Sequence, residues 1–195
     1  MNRTYPFVHP ILILAITLLS KGTLNAQESD AFTTLDIQLA YTSNFNRTEF
    51  HNYWEAGQGV RAAIETPFYV GKTVAGAQVI SYESKMDRIP GFESYYLFLG
   101  WGMEKLLISG VTITAGFQAG NDLMIFKAAG GIVRESELEA SIFSGIAVTL
   151  PHKYELQCTI SRQVLNTHRR IVRDFITLGI GYTIATPTWL RDFLE

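Results

Sequence analysis

The sequence predicts an all-β chain that closes as an eight-stranded antiparallel up-and-down transmembrane β-barrel. Three observations predict it. Apolar residues recur at every second position through most of the chain, which is strand periodicity. The apolar face carries bulky Leu, Ile, Trp and Tyr, whereas the opposite face is rich in Gly, Ala, Thr and Ser. Short connectors alternate with long ones, which puts both chain ends and all short turns on one side. The composition agrees: of 195 residues, 47% are hydrophobic and only 17% charged, against about 25% charged in average chains. A formal net charge of −2 offers no electrostatic case for nucleic-acid binding.

The elements follow in order. Residues 1–26 read as a secretory signal peptide, with Arg3 ahead of an apolar run from Ile11 to Leu19 and Leu24-Asn25-Ala26 before Gln27. That run falls short of the ~20 apolar residues a spanning helix needs. Strands are expected at residues 33–42, 58–66, 72–83, 93–103, 110–119, 136–150, 153–164 and 171–185. In the first, Leu35, Ile37, Leu39 and Tyr41 alternate with Asp36, Gln38, Ala40 and Thr42. The third is ambiguous, because Ala75, Ala77 and Val79 compete with Val74, Ile80 and Tyr82 for the apolar face. The sixth, from Leu138 to Leu150, outruns most soluble strands. In the eighth, Ile176, Leu178, Ile180, Tyr182 and Ile184 oppose Thr177, Gly179, Gly181 and Thr183. The short connectors are 67–71, 104–109 and 151–152; the long ones include 43–57, 84–92 and 120–135. Cys158, the single cysteine, excludes an internal disulfide.

A soluble barrel turns its apolar face inward around a ligand. An eight-stranded barrel has little room inside, so small residues fit the lumen and bulky ones fit lipid. Aromatic side chains are then expected near the strand ends, with Tyr41, Tyr53, Trp54, Tyr82 and Tyr95 toward the loops and Phe68, Tyr69, Trp101, Tyr154 and Tyr182 toward the turns.

With these features the chain resembles the small eight-stranded outer-membrane barrels of the OmpA, OmpX and OmpW-like families over nearly its whole length from residue 27 to 185. The sharpest likeness is the last strand, where Thr177, Gly179, Tyr182 and Ile184 match the spacing that the resemblance associates with recognition by the barrel-assembly machinery. Such chains usually end on an aromatic within that strand. Here residues 186–195 continue past it as a tail that the resemblance puts in the periplasm, where Trp189, Leu190, Phe193 and Leu194 can form a short amphipathic turn. The resemblance implies a monomer in the bacterial outer membrane, with membrane lipid and lipopolysaccharide as partners.

Strand parity turns Asp36, Gln38, Arg61, Glu65, Glu137, Glu139, Glu155, Gln157 and Arg173 toward the lumen. Charges in so narrow an interior need partners. Arg61, Glu137, Glu139 and Arg173 fall near the loop end and are expected to form an ion-pair network there. It reads either as a gate in a narrow pore or as a plug in a closed barrel with an envelope role. Tyr96, Phe98 and Phe143 also point inward, and the OmpW-like resemblance implies a conduit for a small hydrophobic ligand as an alternative. Arg162, His168, Arg169 and Arg170 gather in the last hairpin, which reads either as guanidinium forks suited to lipopolysaccharide phosphates or as an ordinary solvated loop.

No catalytic residue stands out. His51, His152 and His168 show no metal-ligand spacing, and Ser161 with His168 is the nearest approach to a nucleophile and base. A lipid A-modifying activity is the remaining enzymatic reading; no cofactor is expected.

Overall fold

A computed structural model describes residues 31–45, 48–128, 130–166 and 171–194. The signal peptide, Arg47 of the first loop and His168, Arg169 and Arg170 of the last hairpin lie outside these residues. Eight strands, β1 (Thr34–Asn44), β2 (Trp54–Pro67), β3 (Lys72–Ser84), β4 (Phe92–Ile108), β5 (Val111–Ala128), β6 (Gly131–Thr149), β7 (Tyr154–Leu165) and β8 (Ile171–Ala185), pair in sequence order and close through β1 and β8. Closure pairs every strand on both sides, so backbone N–H and C=O groups need no water within a bilayer.

The ladders define the shear. Stepping from Asn44 through Phe175, Ser161, Phe143, Gly116, Gly102, Lys72 and Pro67 leads back to β1 at Thr34, in register with the Asp36–Glu65 pair. The path returns 44 − 34 = 10 residues below its start. With a rise of about 3.3 Å per residue and strands about 4.8 Å apart, a shear of ten over eight strands tilts them by roughly 40°.

The bulky face points outward. Leu39, Leu97 and Leu99 are exposed at 58%, 62% and 70%, and Val60, Ile64, Phe117, Ile142, Ile146, Leu156, Leu178 and Ile180 continue the belt. No water-soluble fold leaves such a belt uncovered; hydrocarbon is the solvent it suits. Small inward residues make space for the few large ones. A Cβ on Gly76 would lie 2.5 Å from the Phe98 ring and one on Gly116 would lie 2.7 Å from the Phe143 ring, so both aromatics occupy room that only glycine leaves.

Several boundaries differ from expectation. The expected long connector 120–135 is strand: β5 runs to Ala128 and β6 starts at Gly131, joined by two residues. The segment has turn-forming residues at both ends and no clean alternation, but pairing across a tight turn keeps it extended. Residues 131–137 of β6 pair with β5 alone among the strands, since the β6–β7 ladder begins at Glu139 and Leu165 and is extended only by the Asn166 N–H donating to the Leu138 carbonyl at 3.0 Å. This hairpin projects beyond the loop-side rim. The expected connector 104–109 is likewise strand as far as Ile108. The ambiguity of β3 resolves with Val74, Ile80 and Tyr82 inward.

The aromatic girdle is correspondingly thinner. Trp101, Tyr154 and Tyr182 face outward near the turns, as Tyr41 and Tyr95 do near the loops, but Trp54 and Tyr82 do not join them. A bulge between Ala56 and Gly59 shifts β2 by one residue and turns Trp54 inward. Tyr82, 1% exposed, lies on the lumenal face of β3.

Candidate functional site

The lumen is layered. At the loop end, the connector between β1 and β2 folds back as a short 3-10 turn (Glu49–Asn52) and lowers Phe50 over the mouth. Its ring meets Tyr82 edge-on at 5.2 Å, and Tyr82 stacks on Phe92 at 4.6 Å. Ile80, Met124, Leu165 and Phe175 complete this dry cap, with Trp54 anchored by its indole N–H to the Pro90 carbonyl at 2.9 Å.

Directly beneath sits a charge cluster. Arg173, 1% exposed, donates through Nη2 to Asp122 Oδ2 at 2.7 Å and to Glu139 Oε2, and through Nη1 to the Tyr82 hydroxyl at 3.3 Å. Ser94 Oγ donates to Asp122 Oδ1 at 2.6 Å. The guanidinium carbon lies 5.8 Å from the centres of both the Tyr82 and Phe175 rings. Inward-facing positions on β3, β4, β5, β6 and β8 thus converge on one cation, tying opposite walls of the cylinder together. Taking two carboxylates and a guanidinium out of water is expensive, and the site repays that only through these direct bonds.

One layer down, Tyr96 stacks on Phe98 at 5.2 Å, and the Arg61 guanidinium sits 4.1 Å above the Phe98 ring while its Nη1 donates to Gln118 Oε1 at 3.1 Å. At the turn end the wall becomes polar. Lys72 Nζ bridges Asp36 at 2.8 Å and Glu104 at 3.1 Å, and Thr183 Oγ1 donates to Asp36 at 2.6 Å. A cavity of about 40 Å³ bordered by Gln38, Arg61, Glu65 and Lys72 lies there, with a second of about 20 Å³ beside Val74 and Met103. Volumes of that size have room for a few waters and not for a hydrated ion.

Of the four residues expected in one network, Arg173 and Glu139 meet. Arg61 and Glu137 do not join them, which corrects the expected grouping. Parity put all four inward without resolving depth, and Arg61 pairs in register with Gln78 whereas Arg173 lies across from Gln163 near the rim. Asp122, Tyr82 and Ser94 were missed. Asp122 lies in the expected connector 120–135, and Tyr82 is expected in the girdle; the signal that finds Asp122 is continued parity from Gln118 and Gly120. Lys72 and Glu104 were also missed, each lying at or beside a supposed turn.

Arg162 faces outward, and its fork is already engaged: Nε and Nη2 donate to the two Asp174 oxygens at 2.8 and 2.9 Å across the β7–β8 ladder. In the last strand, Thr177 and Gly179 line the lumen, with Thr177 Oγ1 3.0 Å from Thr42 Oγ1. Tyr182 and Ile184 face outward, and the Tyr182 ring packs 5.0 Å from Tyr154. His51 and His152 sit in separate turns at opposite ends of the barrel. Among the described residues no His, Cys, Asp and Glu side chains gather as a metal site.

No protein-family model matches the chain, and no curated protein matches its sequence. Solved structures do match its fold. Neisserial surface protein A aligns with a TM-score of 0.54 at 10% identity, covering 80% of this chain and 99% of that one. The N-terminal barrel domain of Pseudomonas aeruginosa OprF gives 0.53 at 10% identity, covering 80% and 100%. Ail, the attachment invasion locus protein of Yersinia pestis, gives 0.52 at 11% identity, covering 78% and 99%. At such identities the likeness is one of fold: the chain has the architecture of the small eight-stranded bacterial outer-membrane barrels.

Proposed function

We propose that this chain, built on the outer-membrane barrel fold, acts as a closed barrel with an envelope role and not as a pore, a carrier or an enzyme. The observation that carries the reading is the lumen itself: among the described residues an aromatic cap, a buried Arg173–Asp122–Glu139 cluster and lumenal cavities of only about 40 and 20 Å³ leave no open path for a solute. A hydrophobic cargo finds its space taken by Phe50, Tyr82, Phe92, Tyr96 and Phe98. Among the described residues no nucleophile and base lie together in the lumen to support acyl hydrolysis of lipid A. The partners are membrane lipid, lipopolysaccharide at the loop side and, during insertion, the assembly machinery through Thr177, Gly179, Tyr182 and Ile184.

Planar-bilayer conductance tests the reading. The folded chain is expected to give no steady ohmic current, and Arg61→Ala, which empties space below the cap without touching the Arg173 cluster, is expected to leave that unchanged. A stable unitary current from the unaltered protein overturns the closed reading in favour of the narrow pore.

A further inference from the structure

Past β8 the chain turns through Pro187 into a seven-residue helix, α1 (Thr188–Leu194). Trp189, Leu190, Phe193 and Leu194 fall within one arc of it, and Arg191, Asp192 and Thr188 fill the other side, the spacing of an amphipathic helix. Phe193, 81% exposed, and Trp189, 71%, are the barest large apolar side chains among the described residues. Both rings stand largely uncovered, and no residue of the helix is buried. The helix cannot stray far from the rim: Thr186 N–H donates to the Thr33 carbonyl at 3.1 Å, which holds its start against the foot of β1.

We propose that α1 lies flat in the headgroup region of the leaflet on the turn side of the barrel, with its apolar face embedded in phospholipid. The proposal rests on the reading of the barrel as membrane-spanning. Lipid, and not a protein partner or second copy, is the occupant because the face continues an existing lipid surface. Tyr182 and Ile184, on the outward face of β8, lead directly into it. Two of the three turns on this side are likewise apolar: Tyr69 and Val70 cap the β2–β3 turn, and Leu106 and Ile108 are exposed at the end of the β4–β5 hairpin, whereas the β6–β7 turn carries Pro151, His152 and Lys153. These tips are spread around the closed ring and not gathered into one patch, which is the pattern of a collar resting in a plane. An interfacial helix with an aromatic on its apolar face binds in proportion to the area it buries. The collar makes the turn side an anchor of depth as well as a set of connections.

The full chain, folded into phospholipid nanodiscs in which both bilayer faces are open to solvent, provides the test. The emission lost on Trp189→Phe isolates Trp189 from Trp54 and Trp101. That emission is expected to be quenched by phospholipids brominated high on the acyl chain and spared by a water-soluble quencher. Trypsin cleavage after Arg191 is expected to be about tenfold slower in the unaltered protein than in the Leu190→Asp, Phe193→Asp double variant, whose helix loses its apolar face. Trp189 emission open to the aqueous quencher, or shielded from both quenchers as a protein contact would shield it, overturns the proposal, as does equal cleavage of the two proteins. Heat-dependent gel mobility, read on the same samples, reports the barrel alone; its absence refutes the membrane-spanning reading and not the placement of the helix.

Discussion

The loop-side and turn-side halves of the lumen share one cylinder and one alternation of inward and outward residues, yet they are filled by opposite chemistry. Above Tyr96 the inward positions hold Ile80, Tyr82, Phe92, Phe175 and a descending Phe50, which seal Arg173 and its two carboxylates from water. Below Arg61 they hold Lys72, Asp36 and Glu104, whose side chains keep 15–38% of their exposure. The same kind of ion pair therefore sits in two dielectric settings within a single barrel. A charge sealed under aromatics is held by its partners alone, whereas one at an open rim retains water as a substitute.

Variants at the two levels sharpen that contrast, the largest effect coming from the sealed cluster. Arg173→Ala leaves Asp122 and Glu139 buried without their cation and is expected to cost about 3–5 kcal/mol of stability. Urea unfolding of the protein in phospholipid vesicles, followed by tryptophan emission, measures it; a loss below that of the turn-side variant described last would dissolve the distinction between the halves. Replacing Arg173, Asp122 and Glu139 together with Met, Asn and Gln is expected to recover most of the loss, because no unpaired charge then remains.

Removing the seal comes next. Phe50→Ala takes away the ring that closes the mouth and is expected to cost about 3 kcal/mol, at the lower end for a buried phenylalanine because the connector can settle toward the gap. The temperature at which gel mobility shifts should fall accordingly, and aqueous quenching of Trp54, which shares the cap, should rise.

The smallest effect belongs to the turn side. Lys72→Ala breaks the bridges to Asp36 and Glu104, but both acids reach solvent and Asp36 keeps its Thr183 bond, so a cost of about 1 kcal/mol or less is expected from the same unfolding measurement. High salt should shrink that difference while leaving the Arg173 effect nearly intact, since buried pairs are screened far less.

Particular residues mark how far the candidate site could be read in advance. Glu139 lies on a clean alternation, and Arg173 takes its inward direction from extending the alternation of residues 176–184 backward through Phe175. Asp122 stands where alternation fails, with Leu123, Met124, Ile125 and Phe126 apolar on both faces, because this stretch of β5 is leaving the membrane belt and packing its inner face under the cap. Tyr82 and Trp54 were misplaced for a related reason. An aromatic near a strand end suits a bilayer interface and a sealed lumen equally, and only the bulge in β2 and the inward turn of β3 decide between them.

By itself the chain's order of residues determined the strands, their number, their antiparallel succession and which face meets lipid, since each of these is a property of neighbours one or two positions apart. Tertiary structure decided the depth of every inward side chain and hence who pairs with whom. Arg173 reaches Tyr82, Asp122 and Glu139 across 91, 51 and 34 positions of chain, and those meetings depend on the shear of the closed ring. A period of two records direction, but the height at which two walls of a tilted cylinder meet is settled only when the first strand finds the last.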